Sequence, residues 1–142
     1  MQVENILQSK GTAVHTVTAG APLSEAVQLL NTHKIGAVVV VDAKGGVAGI
    51  LSERDIVRRL GTDPAKLLAS PVHTAMTAKV ITATRAHTVS DLMELMTRHR
   101  IRHIPVVDGT TLVGIVSIGD VVKRKIEETE QEALALREYI AS

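Results

Sequence analysis

Two stretches decide how this chain is read: Gly49-Ile50-Leu51-Ser52-Glu53-Arg54-Asp55 and Gly114-Ile115-Val116-Ser117-Ile118-Gly119-Asp120. Each is an apolar run that ends in Ser-x-x-Asp, and each holds the same place in an internal repeat. Residues 14–42 align without gaps on 80–108 with 10 identities in 29 positions, and 49–59 align on 114–124 with 6 in 11. A repeat unit of this kind cannot easily bury its apolar face alone. Two copies can pack face to face, so equivalent residues converge near a pseudo-twofold axis, where a site is expected.

Outward from the signature, the first unit reads as a short strand over 14–18, a turn through Ala19-Gly20-Ala21-Pro22, and a helix up to His33-Lys34. The helix follows from the spacing of Leu23, Ala26, Val27 and Leu30, with Pro22 suited to its first turn. The run Val38-Val39-Val40-Val41-Asp42 is rich in β-branched residues and reads as a buried strand. Lys44-Gly45-Gly46 turns the chain into a returning strand over 47–51. A second helix over 52–60 is stopped by Gly61. The second unit repeats the order: strand 80–84, helix 89–100, strand 104–107, turn Asp108-Gly109, strand 112–116, and a helix from Ser117 onward. A connector over 63–77 carries helical turns around 66–68 and 72–76. The expected architecture is α/β: two pseudo-symmetric β-α-β-β-α repeats, 1–62 and 63–126, with a C-terminal helical extension over 127–142.

That extension has a pattern of its own. From Asp120 to about Ile140 there is no Gly or Pro, and Val122, Ile126, Thr129, Ala133, Leu136 and Ile140 recur in alternating steps of four and three. The pattern is a heptad-like seam, flanked by the i,i+4 charge pairs Lys123–Glu127 and Arg124–Glu128. It suits packing on its own domain or a dimer contact; Thr129 and Ala133 weaken the seam in its middle, so a free-standing coiled coil is not expected.

Composition narrows the function classes. The 142 residues carry a net charge of +1 and 45% hydrophobic residues, with no Cys, Trp or Phe, and Tyr139 is the only tyrosine. Without cysteine there are no disulfides and no thiolate chemistry. No apolar run approaches the roughly 20 residues of a membrane span, and residues 1–5 show no basic n-region or apolar h-region. A cytoplasmic protein is expected. The near-neutral charge argues against a broad nucleic-acid surface, as does the lack of aromatic platforms for stacking bases. Any base must therefore rest on aliphatic side chains and backbone.

Ser-x-x-Asp after a strand has two readings. In one, Ser is the N-cap and Asp the N3 residue of a capping box, a local device worth about 1 kcal/mol. In the other, the helix N-terminus and the Ser hydroxyl face a phosphate, while the acceptor-only Asp takes the vicinal hydroxyls of a ribose.

The β-α-β-β-α repeat, the segment Arg102-His103-Ile104-Pro105-Val106-Val107-Asp108 and the two signature copies together make residues 1–126 resemble a tandem pair of cystathionine-β-synthase (CBS) domains, the Bateman module. The resemblance implies a flat disc with two clefts for adenosine nucleotides, each built from both repeats. One cleft would use Thr16, Ala37 and Val38 with Ser117 and Asp120. The other would use Thr82, Arg102, His103, Ile104 and Pro105 with Ser52, Arg54 and Asp55. In each, Asp would bind ribose, and Ser with the nearby basic groups would face phosphate. The clefts are unequal: Gly36-Ala37-Val38-Val39 stands where the second repeat has Arg102-His103-Ile104-Pro105, and Arg54 stands opposite Gly119. The cleft with Arg54, Arg102 and His103 is expected to favour phosphates.

Other constellations are weaker. His33 and His99 end equivalent helices, where a cation complements the dipole. His99 and His103 are four apart, but the helix is expected to end between them, and no zinc set is completed. No nucleophile elbow, Walker loop or Gly-x-Gly-x-x-Gly loop is present. The expectation is a non-catalytic regulatory module for AMP, ATP or an NAD-type ligand, with no required cofactor. It would act through a homodimer or an effector protein, without nucleic acid or membrane. The alternatives are an interaction module with vestigial clefts, or a nucleic-acid regulator using the basic run 98–103.

Overall fold

A computed structural model describes residues 1–61 and 63–142. Helix α1 (Val3–Lys10) precedes the first repeat, which comprises β1 (Thr16–Thr18), α2 (Leu23–His33), β2 (Ala37–Val41), β3 (Val47–Ser52) and α3 (Glu53–Arg59). The connector holds α4 (Pro64–Ala69) and a 3-10 turn (Val72–Thr74). The second repeat follows with α5 (Val89–His99), β4 (His103–Asp108), β5 (Thr111–Ser117) and α6 (Ile118–Ala141). The chain is the expected α/β repeat pair with a long last helix.

In the first repeat β1 pairs parallel with β2, and β2 antiparallel with β3. The two tight turns are built from the predicted residues: Asp42 Oδ1 accepts from the Lys44 and Gly46 amides, both at 2.9 Å, and Gly45 and Gly109 take positive φ. In the second repeat β4 and β5 pair alone, and the strand expected over 80–84 shrinks to one parallel bridge, Ala83 to Val106. Pro105 explains the loss. Its counterpart Val39 donates its amide to the His15 carbonyl at 3.4 Å. Proline has no such donor, so the ladder starts only at the Ala83 amide, which donates to the Pro105 carbonyl.

The two cores do not follow the linear order of the chain. Val3, Ile6 and Leu7 of α1 are buried among Leu92, Met96, Ile104, Val106, Val116 and Val121 of the second repeat. Val72 and Ala75 of the connector are buried among Val17, Leu23, Ala26, Val38, Val40 and Leu51 of the first. The exchange is symmetric: the Val3 amide donates to the His87 carbonyl, and the Val72 amide to the Ala21 carbonyl, both at 2.8 Å. Each repeat thus lends its lead-in segment to the other. An eight-residue helix is too short to persist alone in water. Burying three aliphatic side chains at about 1.5–3 kcal/mol each holds α1 in place. The signature glycines make room for these segments. A Cβ at Gly114 would lie 2.6 Å from Leu7 Cδ2, and one at Gly49 2.6 Å from Met76 Sδ and 2.9 Å from the Thr77 carbonyl oxygen.

Helix α6 is anchored at its start by Val121 and by packing on α5. Its near flank carries i,i+3 ion pairs, Arg124–Glu127 at 3.0 Å and Lys125–Glu128 at 3.8 Å, in place of the expected i,i+4 pairs. From Thr129 to the end every residue is exposed. No helix among the described residues is long and apolar enough to cross a membrane.

Candidate functional site

Both Ser-x-x-Asp copies form complete capping boxes. Ser52 Oγ accepts from the Asp55 amide at 3.3 Å, while Asp55 Oδ2 accepts from the Ser52 amide at 2.9 Å and the Ser52 hydroxyl at 3.0 Å. Ser117 and Asp120 repeat this at 3.3, 2.8 and 3.0 Å. The first helical amides are also taken. Glu53 donates to the Gly36 carbonyl at 3.0 Å, and Ile118 to the Arg102 carbonyl at 2.8 Å. Among the described residues the amides of Arg54 and Gly119 find no such partner, so each helix start offers one donor rather than three. The second carboxylate oxygen of each Asp is freer. Asp55 Oδ1 meets the Thr77 hydroxyl at 3.5 Å.

A cavity of about 1290 Å³ lies over both helix starts and mixes residues of both repeats. That exceeds the roughly 300–1,000 Å³ of a single small-molecule pocket: Ser52 and Arg54 of one signature and Ser117 and Gly119 of the other line the same cavity. Of the residues picked from the sequence, Ala37, Ser52, Arg54, Asp55, Arg102, His103 and Ser117 line it. Thr16, Val38, Thr82, Ile104, Pro105 and Asp120 do not: Thr16 and Thr82 are exposed to one side, and Val38, Ile104 and Pro105 are buried in the sheets. Asp120 sits behind Lys10.

Equivalent segments do meet at the centre. A Cβ on Gly36 would come within 3.1 Å of His103 Cε1. Burial pushes the His103 pKa down; Lys10 and Arg102 add to this, and Glu53 and Asp120 oppose it. The centre of the cleft is therefore lined by a neutral imidazole near neutral pH.

Lys10 is the largest omission from the sequence reading. Its Nζ donates to Asp120 Oδ2 at 2.7 Å and to the Ile115 carbonyl at 2.9 Å. Burial raises the Asp120 pKa, but hydrogen bonds from Lys10 and Ser117 and the Lys10 charge outweigh it and hold the carboxyl below its usual value. Lys79 is its pseudo-equivalent: each lysine lies three residues after the side chain packed on a signature glycine, Leu7 or Met76.

Lys34 and Arg100, also in the cavity wall, end α2 and α5 in the left-handed conformation at φ 52° and 54°. The following amides, of Ile35 and Ile101, close the same cap on Leu30 and Met96 at 3.1 Å. Glycine is the usual residue there. With Arg54, Arg58 and Arg102 the wall holds seven Lys or Arg side chains against the acids Glu53 and Asp55, in a chain of net charge only +1. Arg54 and Arg58 stand on α3 with Asp55, whereas the Arg102 carbonyl accepts from the first amide of α6; their counterparts Gly119, Lys123 and Gly36 supply no lining cation.

His33 does more than end its helix: its ring stacks on His15, with centroids 3.6 Å apart. Helix α5 stops at His99 and His103 opens β4. No three His, Asp or Glu side chains cluster as metal ligands among the described residues.

Comparison with known proteins agrees with this geometry. The CBS domain model matches residues 6–62 and 72–127. The chain is 35% identical over 146 residues to the CBS domain-containing protein CBSX3, mitochondrial, of Arabidopsis thaliana, covering 97% of this chain and 71% of that one. The crystal structure of the CBS-domain containing protein ATU1752 from Agrobacterium tumefaciens superposes with a TM-score of 0.84 at 45% identity, covering 88% of this chain and 99% of that one. The CBS domain pair of protein MJ0100, solved in complex with 5-methylthioadenosine and S-adenosyl-L-methionine, superposes with a TM-score of 0.79 at 27% identity over 90% and 98% of the two chains. The match of the CBS domain model to both repeats, with the likeness to CBSX3, places this chain in the CBS domain family, as a tandem pair.

Proposed function

We propose that this CBS pair is a regulatory module, without catalysis of its own, that binds a phosphate-bearing adenosine ligand such as AMP, ATP or NAD and passes its occupancy to a partner protein or a second copy. The observation that carries the reading is the charge of the cleft: seven lining cations against the lining acids Glu53 and Asp55, with one of the seven, Lys10, paired to Asp120. Asp55 would hold the ribose through Oδ1, with Arg54, Arg58 and Arg102 on the phosphates. The Ile81 carbonyl, left unpaired in the ladder by Pro105, is a backbone acceptor for the adenine amino group. The Asp120 side, where Lys10 already neutralises the carboxylate, is the weaker phosphate site. The adenosine compounds on MJ0100 support the ligand class.

The test is a thermal-shift panel of AMP, ADP, ATP, NAD, NADH, S-adenosylmethionine, 5-methylthioadenosine and a short oligonucleotide. Ligand at 100 times its dissociation constant adds about 2.7 kcal/mol, which is roughly 5–10 °C for a chain of this size. The phosphate-bearing adenosines shift the melting temperature most, and Asp55→Asn removes more of the shift than Asp120→Asn. No shift with any adenosine compound refutes the reading in favour of vestigial clefts. A shift confined to the oligonucleotide and lost with salt refutes it in favour of nucleic-acid binding.

A further inference from the structure

We propose that α6 joins two copies of this chain as a parallel, in-register pair through the seam Val122, Ile126, Thr129, Ala133, Leu136 and Ile140. The face that packs on the domain is a different one, marked by Val121, Arg124, Glu127 and Glu128, which are buried or half-buried; half-buried Lys125, whose ion pair with Glu128 is long at 3.8 Å, stands on the border between the two faces. The seam lies to its side and is open: Val122 is 45% exposed, Ile126 54%, Leu136 58% and Ile140 74%. Beyond Thr129 the helix has no contact that buries it. Thirteen residues of free helix are marginal in water, and a partner helix supplies the missing contact.

The charges select both partner and orientation. With Ile126, Ala133 and Ile140 at heptad positions a and Val122, Thr129 and Leu136 at d, Lys123, Glu130 and Arg137 fall at e and Lys125, Glu132 and Tyr139 at g. In a parallel pair each g residue faces the next e residue across the seam. Lys125 then meets Glu130 of the second copy, and Glu132 meets Arg137 of the second copy, each contact occurring twice by symmetry. An antiparallel pair centred on the seam would bring Glu130 onto itself, Glu132 onto itself and Lys123 onto Arg137. A second copy is therefore the complement that this flank fits, and only in the parallel sense. The pairing specifies the self-association named in the proposed function and needs no nucleotide.

Sedimentation equilibrium of the full chain without ligand tests it. The chain is expected to be dimeric. Ile126→Glu with Leu136→Glu is expected to leave a folded monomer, whereas Leu134→Glu, off the seam, keeps the dimer. Lys125→Glu alone and Glu130→Lys alone each weaken the dimer roughly tenfold, and mixing these two variants restores it as a heterodimer. The chain has no cysteine, so Leu136→Cys reports orientation cleanly: a parallel pair oxidises to a self-disulfide. A monomer at all concentrations, a dimer that survives the double Glu variant, or a dimer of Leu136→Cys that does not crosslink each overturns the proposal. Because no ligand is involved, such a result leaves the thermal-shift outcome to judge the nucleotide reading separately.

Discussion

Removing the Lys10 ammonium should uncouple α1 from the start of α6, and the size of the effect follows from the geometry. Lys10→Met keeps the aliphatic stem, and Asp120→Asn keeps the acceptor for the Ser117 amide, so a double-mutant cycle isolates the pair. The contact is short, 2.7 Å, and its side chains retain 33% and 23% of their exposure. An exposed ion pair is worth about 0.2–1 kcal/mol, and a hydrogen bond to a charged group about 1.5–3 kcal/mol. Partial solvent screening puts this one between, with a coupling of about 1 kcal/mol at pH 7, or roughly 2–4 °C in melting temperature. The sign with pH follows from linkage. Asp120 has a lowered carboxyl pKa in the folded state, so its contribution is full above the unfolded value of about 3.9 and fades as pH falls through the folded value. Chemical denaturation of the four variants at pH 7 and again below pH 4 measures both. A coupling near zero at pH 7, or one that stays constant as Asp120 becomes protonated, would refute the account of Lys10 as its charge partner.

Gly49→Ala should cost about 1–3 kcal/mol by denaturant melt, because the new Cβ meets the Thr77 carbonyl as well as the Met76 sulfur. Tolerance without loss of stability would show that the connector does not pack as described. Lys34→Gly and Arg100→Gly should raise stability by up to about 1 kcal/mol by relieving the left-handed backbone, while weakening a phosphate-bearing ligand in calorimetry. Unchanged affinity would remove these two cations from the binding account.

Much of the fold is legible in the sequence. Helices α2 and α5 begin at Leu23 and Val89 as the apolar spacing required, and the Gly-bearing turns fall at Gly45 and Gly109. Helix α1 was missed although its signal is present: Val3, Ile6 and Leu7 stand at i, i+3 and i+4, a single turn of pattern that needs a core to make it stable. The short ladder at Ala83 could also have been read from Pro105, by counting the amides that β4 can donate. In the candidate site, the residues nearest the helix starts were legible because the signature names them. Lys10 was not, since it reaches Asp120 across 110 positions of sequence.

The sequence by itself determined the duplication, the order of strands and helices and the chemistry of both helix starts. Each of these depends on interactions within a few residues: periodicity, turn backbone and a cap that closes over three positions. Only the tertiary structure decided which lead-in fills which core, that both helix starts open on one cavity rich in Lys and Arg, and which of the two Asp residues already has a cation. Those outcomes rest on contacts between segments far apart in the chain. Burial of Leu7 against Gly114 and of Met76 against Gly49 sets where Lys10 and Lys79 can reach, and no local pattern encodes that placement.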